Sequence, residues 1–145
     1  MPGIVVGVEG SPNSEHALAW AMREAAIRAA PLTVLAVHPV PKSYWGNIPV
    51  VGAPDVALLE QLRNAVEEMT NRAASQLGDA RPASISIRVE NGFPAQELLA
   101  ASQDADLIVV GSRGGGGFAR LMLGSVSSQV VQHAACPVAV IPLRR

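Results

Sequence analysis

The 145 residues contain a single cysteine, Cys136, so no disulfide can form within the chain. That suits a reducing compartment, and the expected location is the cytoplasm. Cys136 precedes Pro137 and reads as a buried small apolar residue rather than as a nucleophile. Charge of either sign is not in excess: eleven basic and twelve acidic residues give a formal net charge of −1. No basic run suggests nucleic acid, and there is no acidic tail. No apolar run approaches the length of a membrane span. The opening MPGIVVGV has no charged n-region, so no signal peptide is expected. Low-complexity segments and internal repeats are missing as well. So are paired-carboxylate motifs, metal-ligand clusters and a nucleophile elbow, which leaves no catalytic set.

What is present is apolar: 49% of the residues are hydrophobic, enough for a sizeable core in one domain spanning 1–145. Ile4 to Val8 reads as a buried strand. A helix is expected from about Ser14 to Ala30, with Leu18, Ala21, Met22, Ala25 and Ile27 at helical spacing and Ser11, Asn13 or Ser14 as its cap. Leu32 to Val37 is a second strand, broken by His38-Pro39. The stretch from Pro39 to Pro54 is rich in proline and reads as a long irregular loop, in which Tyr44 and Trp45 either form a lid or pin the loop to the surface. Asp55 to Leu77 reads as a long amphipathic helix carrying Leu58, Leu59, Leu62, Ala65, Val66, Met69, Ala73 and Leu77, with Gly78 as its C-cap. Ser84 to Glu90 alternates as an edge strand does. A short helix over Ala95 to Ser102, a strand over Leu107 to Val110, a helix over Ser127 to Ala134 and a strand over Val138 to Ile141 complete the pattern. This alternation predicts an α/β fold. It is a single open five-stranded parallel sheet in the order 3-2-1-4-5, with helices on both faces, of Rossmann-like type. Its switch point falls between the first and fourth strands, and ligands bind outside the carboxyl ends of strands at such a point.

The densest signal runs from Asp106 to Ser127, DLIVVGSRGGGGFARLMLGSVS. A buried β-branched strand ends at Gly111. Four glycines follow at 114 to 117, and Gly124-Ser125 opens a helix for which Ser125, Ser127 or Ser128 is a candidate cap. Strand, glycine loop and helix N-terminus together favour an anion, phosphate above all. Arg113 reads as a phosphate contact and Arg120 as a solvated loop cation. His38 ends a strand near the expected pocket but has no partner acid or nucleophile at a recognisable spacing. His16 and His133 read as surface or boundary residues. There is no G-x-x-x-x-G-K-[ST] and no G-x-G-x-x-G after the first strand, so neither a Walker loop nor the usual dinucleotide fingerprint is available.

The spacing G-x2-G-x9-G-[ST] formed by Gly111, Gly114, Gly124 and Ser125 resembles the ATP-binding signature of the universal stress protein family. IVVGVEGSP near the start and CPVAVIP near the end are similar to that family too. The resemblance implies an adenine nucleotide, ATP foremost, with Mg²⁺ as an open question. It implies phosphates lined by Gly111, Gly114, Gly124 and Ser125, with Ser112, Arg113 and Val126 in the same cofactor-binding set. Val37 would flank adenine, and Gly7 and Glu9 would stand near the ribose. Glu9 departs from the family's usual aspartate and reaches one methylene further. The resemblance also implies a homodimer formed by antiparallel pairing of the last strands, residues 138–142. Three readings stay open: a nucleotide-binding regulator of the stress response, a slow ATPase of the same fold, and a dimeric interaction module with a vestigial pocket.

Overall fold

The computed structural model describes residues 3–9, 12–39, 43–50, 56–112 and 124–142. Five strands form one parallel sheet: β1 (Ile4–Val8), β2 (Pro31–Pro39), β5 (Ser84–Gly92), β6 (Leu107–Gly111) and β7 (Val138–Ile141). Their order is β5-β2-β1-β6-β7, which is the expected 3-2-1-4-5. Four helices connect them: α1 (Pro12–Arg28), α2 (Val56–Ser75), α3 (Pro94–Ser102) and α4 (Ser125–His133).

The sheet separates two apolar layers, as alternation along buried strands requires. On one face Ile4, Val6, Val8, Leu32, Val34 and Val109 pack against Leu18, Ala21, Met22 and Ala25 of α1 and Val66 and Met69 of α2. On the other, Val5, Leu35, Ile108 and Val110 pack against Leu98 of α3 and Val130 of α4. β5 is the wetter edge, with Ile87 and Val89 tucked beneath α2 and Ile85 at 40% exposure.

Several expectations are corrected. The first helix begins at Pro12 and ends at Arg28, and Ile27 is 76% exposed. Two residues beyond Ala25 is about 200° around a helix, so Ile27 faces away from the sheet that Ala25 touches. The strand does not break at His38-Pro39. β2 runs on, in register with Asn91 and Gly92 of β5. β1 has already ended opposite Ala36, so β2 is paired on one side only and Pro39 is tolerated there. Within Pro39–Pro54 lies an antiparallel hairpin, β3 (Ser43–Trp45) and β4 (Ile48–Val50), turned by Gly46 at φ +64°. Glycine reaches that conformation without steric cost. Whether Tyr44 and Trp45 act as lid or pin lies outside the described side chains.

Leu58 and Ala65 are exposed on α2. That helix stops at Ser75, before the expected Gly78 cap. Its end is satisfied otherwise: Arg81 Nη1 donates to the Ala74 carbonyl at 2.8 Å, and the Ser75 hydroxyl donates to the Arg72 carbonyl at 2.7 Å. The last helix starts two residues early, and its N-cap is Gly124 rather than a serine.

Candidate functional site

A cavity of about 330 Å³ opens at the carboxyl ends of β1, β2 and β6. β1 and β6 pair only from Ile4↔Leu107 to Val6↔Val109. Beyond Val6 the two strands part, because the chain leaves β1 in one direction and returns to its other side later. The crevice therefore sits at the topological switch point. Its volume falls in the range of small-molecule sites, roughly 300–1,000 Å³.

The lining divides by chemistry. Leu35 and Val37 from β2, Leu62 from α2, and Pro94 and Leu98 from α3 make an apolar side. Glu9, Ser14, Gly111 and Ser127 supply polar groups on the β1 and β6 side, and His38 adds one at the end of β2. The Glu9 N–H donates to the Ser14 hydroxyl oxygen at 2.9 Å, which closes the turn between β1 and α1. The Glu9 side chain is left exposed at the rim. Gly7 lets α3 come close: a Cβ there would stand 3.0 Å from Leu98 Cδ1 and 3.1 Å from Cδ2.

Of the residues singled out from the sequence, the structure brings Gly7, Glu9, Val37, Gly111 and Val126 together around this cavity. Ser112, Gly124 and Ser125 are next to it without lining it. Ser112 is buried, and its N–H donates to the Ile141 carbonyl at 2.9 Å. The Gly124 N–H donates to the Ser112 carbonyl at 2.7 Å. That amide serves the junction of β6 and α4 and is not free for a phosphate. Gly124 has φ −67° and ψ 166°, extended backbone that any residue adopts. Arg113, Gly114, the glycine run to 117 and Arg120 lie outside the described residues.

Sequence reasoning missed Ser14, Leu35, Leu62, Pro94, Leu98 and Val110 as walls, and it left His38 and Ser127 without a site role. His38 and Pro39 line the cavity because β2 outruns β1. The signal for the apolar walls was present in part: residues at the carboxyl end of a strand, or in the first turn after it, point into a switch-point crevice. The sequence marks Ser127 only as a candidate cap. Its hydroxyl instead donates to the Gly111 carbonyl.

No group of three or more His, Cys, Asp or Glu suited to a metal ion occurs among the described residues. Cys136 is half-buried away from the crevice, and burial pushes its thiol above the ordinary value.

The profile of the universal stress protein family matches residues 2–142. This chain belongs to the universal stress protein family. A universal stress protein of Mycobacterium tuberculosis is 37% identical over 139 residues, covering 96% of this chain. The chain spans about half the length of the curated relatives it matches, 47% in that case. A universal stress protein solved in complex with cAMP superposes with a TM-score of 0.72 at 24% identity, covering 99% of this chain and 98% of that one. The universal stress protein from Archaeoglobus fulgidus solved in complex with dAMP superposes at 0.60 and 26% identity, covering 97% and 98%. Both superpositions extend over nearly the whole of this chain, which is a likeness of fold. No helix among the described residues is long and apolar enough to cross a membrane.

Proposed function

We propose that residues 1–145 form one domain that binds ATP or a related adenine nucleotide in the switch-point crevice and acts as a cytoplasmic regulator in the stress response. The observation that carries this reading is the division of the cavity wall. A flat apolar base suits the side made by Leu35, Val37, Pro94 and Leu98. A ribose suits the rim at Gly7 and Glu9, where the longer carboxylate still supplies an acceptor. Phosphates suit the other end, where Gly111 meets the first turn of α4 at Ser125 and Val126. The dAMP complex of the Archaeoglobus relative supports an adenine nucleotide in this fold. Arg113 and Gly114 complete the proposed set from sequence spacing.

Binding without rapid turnover is the simplest role for such a site, since no nucleophile paired with a base stands out among the described lining residues. Titration calorimetry with ATP, ADP, AMP and cyclic AMP is the test. Heat of binding for at least one of them at millimolar concentration or below is expected. No heat and no thermal shift with any of the four would end the reading. Phosphate release measured with and without Mg²⁺ separates a binder from a slow ATPase.

A second observation favours self-association. Among the described residues β7 is paired on one side only, and its four residues are apolar and half-buried. We infer pairing of residues 138–142 with a second copy across a two-fold axis.

A further inference from the structure

Three hydrogen bonds meet at the β6 end of the cavity. Two are backbone bonds, from Gly124 to Ser112 and from Ser112 to Ile141. The third needs a hydroxyl: Ser127 Oγ donates to the Gly111 carbonyl. Ser127 is 5% exposed, and it lines the cavity together with Gly111.

The direction of that carbonyl follows from the ladder. Ile108 N–H donates to Pro137 O at 3.0 Å and Ser112 N–H donates to Ile141 O at 2.9 Å. Residues 108, 110 and 112 of this strand therefore turn their backbone groups toward β7, and alternation turns those of 107, 109 and 111 toward β1. β1 pairs no further than Val6↔Val109. The Gly111 carbonyl thus faces the opening between β1 and β6, at the end assigned to phosphate. Left alone there, its partial negative charge would oppose an anion, and it would itself lack a partner.

The geometry points to Ser127 as a positioning residue for the phosphate of the ligand, an assignment that rests on the adenine-nucleotide reading of this crevice. Its hydroxyl proton occupies the carbonyl's acceptor and draws the end of β6 onto the first turn of α4. No described group accepts from the Ser125 and Val126 N–H groups of that turn. Ser127 acts through Gly111, so its effect is confined to ligands that carry phosphate.

The test compares wild type, Ser127→Ala and Ser127→Thr by calorimetry, each with adenosine and with AMP. Ser127→Ala is expected to bind adenosine as wild type does, while the advantage of AMP over adenosine falls by about tenfold or more. Ser127→Thr, which keeps the hydroxyl, is expected to restore it. An unchanged AMP-to-adenosine ratio in Ser127→Ala overturns the assignment, and so does equal loss of both ligands. If Ser127→Ala does not fold, Ser127→Cys, a weak donor of similar size, takes its place. If wild type binds neither ligand, the adenine reading falls, and inorganic phosphate then decides the role of Ser127. Shifts of the Ser125 and Val126 amide resonances in wild type and Ser127→Thr but not in Ser127→Ala support it. No shifts in wild type, or equal shifts in Ser127→Ala, overturn it.

Discussion

Gly7 shows how one position serves packing and the site together. It lies on the central strand, where glycine is otherwise a poor choice. Its reason is Leu98, whose methyl carbons would stand 3.0 and 3.1 Å from a Cβ at residue 7. Leu98 is buried and forms part of the cavity wall. The resemblance placed Gly7 near a ribose. The geometry adds that a Cβ here makes the Leu98 side chain, and the wall it forms, give way by a few tenths of an ångström. Gly7→Ala is expected to destabilise the protein by roughly 1–3 kcal/mol, the usual range for overpacking. Leu98→Ala removes the opposing methyls and leaves a cavity, at about 2–5 kcal/mol. Since the two side chains meet directly, the double variant is expected to be more stable than the sum of the singles implies, by about 1 kcal/mol. Urea denaturation of the four proteins measures that coupling. Strict additivity would show that α3 yields freely and that Gly7 is not there for Leu98.

At the scale of elements, the corner between β5 and α3 carries two carboxylates, Glu90 and Glu97, beside the wall residues Val37 and Leu98 in register and sequence. Glu90 lies opposite Val37 in the β2–β5 register, and Glu97 lies on α3 next to Leu98. Arg88 Nη2 donates to Glu90 Oε1 at 2.7 Å and holds that carboxyl below its ordinary range. The hydrogen bond to Glu90, followed by desolvation, raises Glu97 above its ordinary range. Arg88, Glu90 and Glu97 are the charged groups that act on the pair among the described residues. The two shifts have opposite consequences. Glu97, being raised, contributes stability that is present at low pH and lost as pH rises through its folded value. Glu90, being lowered, contributes stability present above its unfolded value and lost as pH falls through its folded one. Glu97→Gln keeps the donor toward Glu90 and removes the titration. The melting temperature of wild type relative to Glu97→Gln is therefore expected to fall as pH rises through the carboxylate range. A difference independent of pH would show that the pair is not coupled. This corner was invisible in the sequence, because Glu90 and Glu97 meet only once strand and helix have folded against each other. The strand order and the switch point were legible, because alternation of buried strands with helices and right-handed crossovers leave few topologies. The helix ends were not. Arg81 satisfies a carbonyl at the end of α2, and the Gly124 amide is drawn to Ser112, both through contacts from outside the helix that no cap motif encodes.

For the whole molecule, the two edges of the sheet differ in kind. β5 presents Arg88 and Glu90 and is wet along its first half, which discourages pairing with another chain. β7 presents Val138, Ala139, Val140 and Ile141, with no charge among them. Its inner hydrogen bonds identify its outer ones. Pro137 O and Ile141 O accept from β6, so residues 137, 139 and 141 face inward, and the backbone groups of Val138 and Val140 face out along the open edge. Pairing with a second copy would use those outward groups. Val140→Pro deletes an outward N–H and leaves every bond to β6 in place. The proline also restricts Ala139 to extended backbone, which it already has as part of β7. The side chain lost is one partly buried member of the second apolar layer, so the fold is expected to survive with a modest loss of stability. Light scattering at tens of micromolar is expected to give twice 15.1 kDa for wild type and a single 15.1 kDa for Val140→Pro. Circular dichroism of the variant must remain that of an α/β protein for the comparison to hold. A wild type that is monomeric, or a folded Val140→Pro that is still dimeric, would show that the open edge of β7 is not where copies of this chain meet.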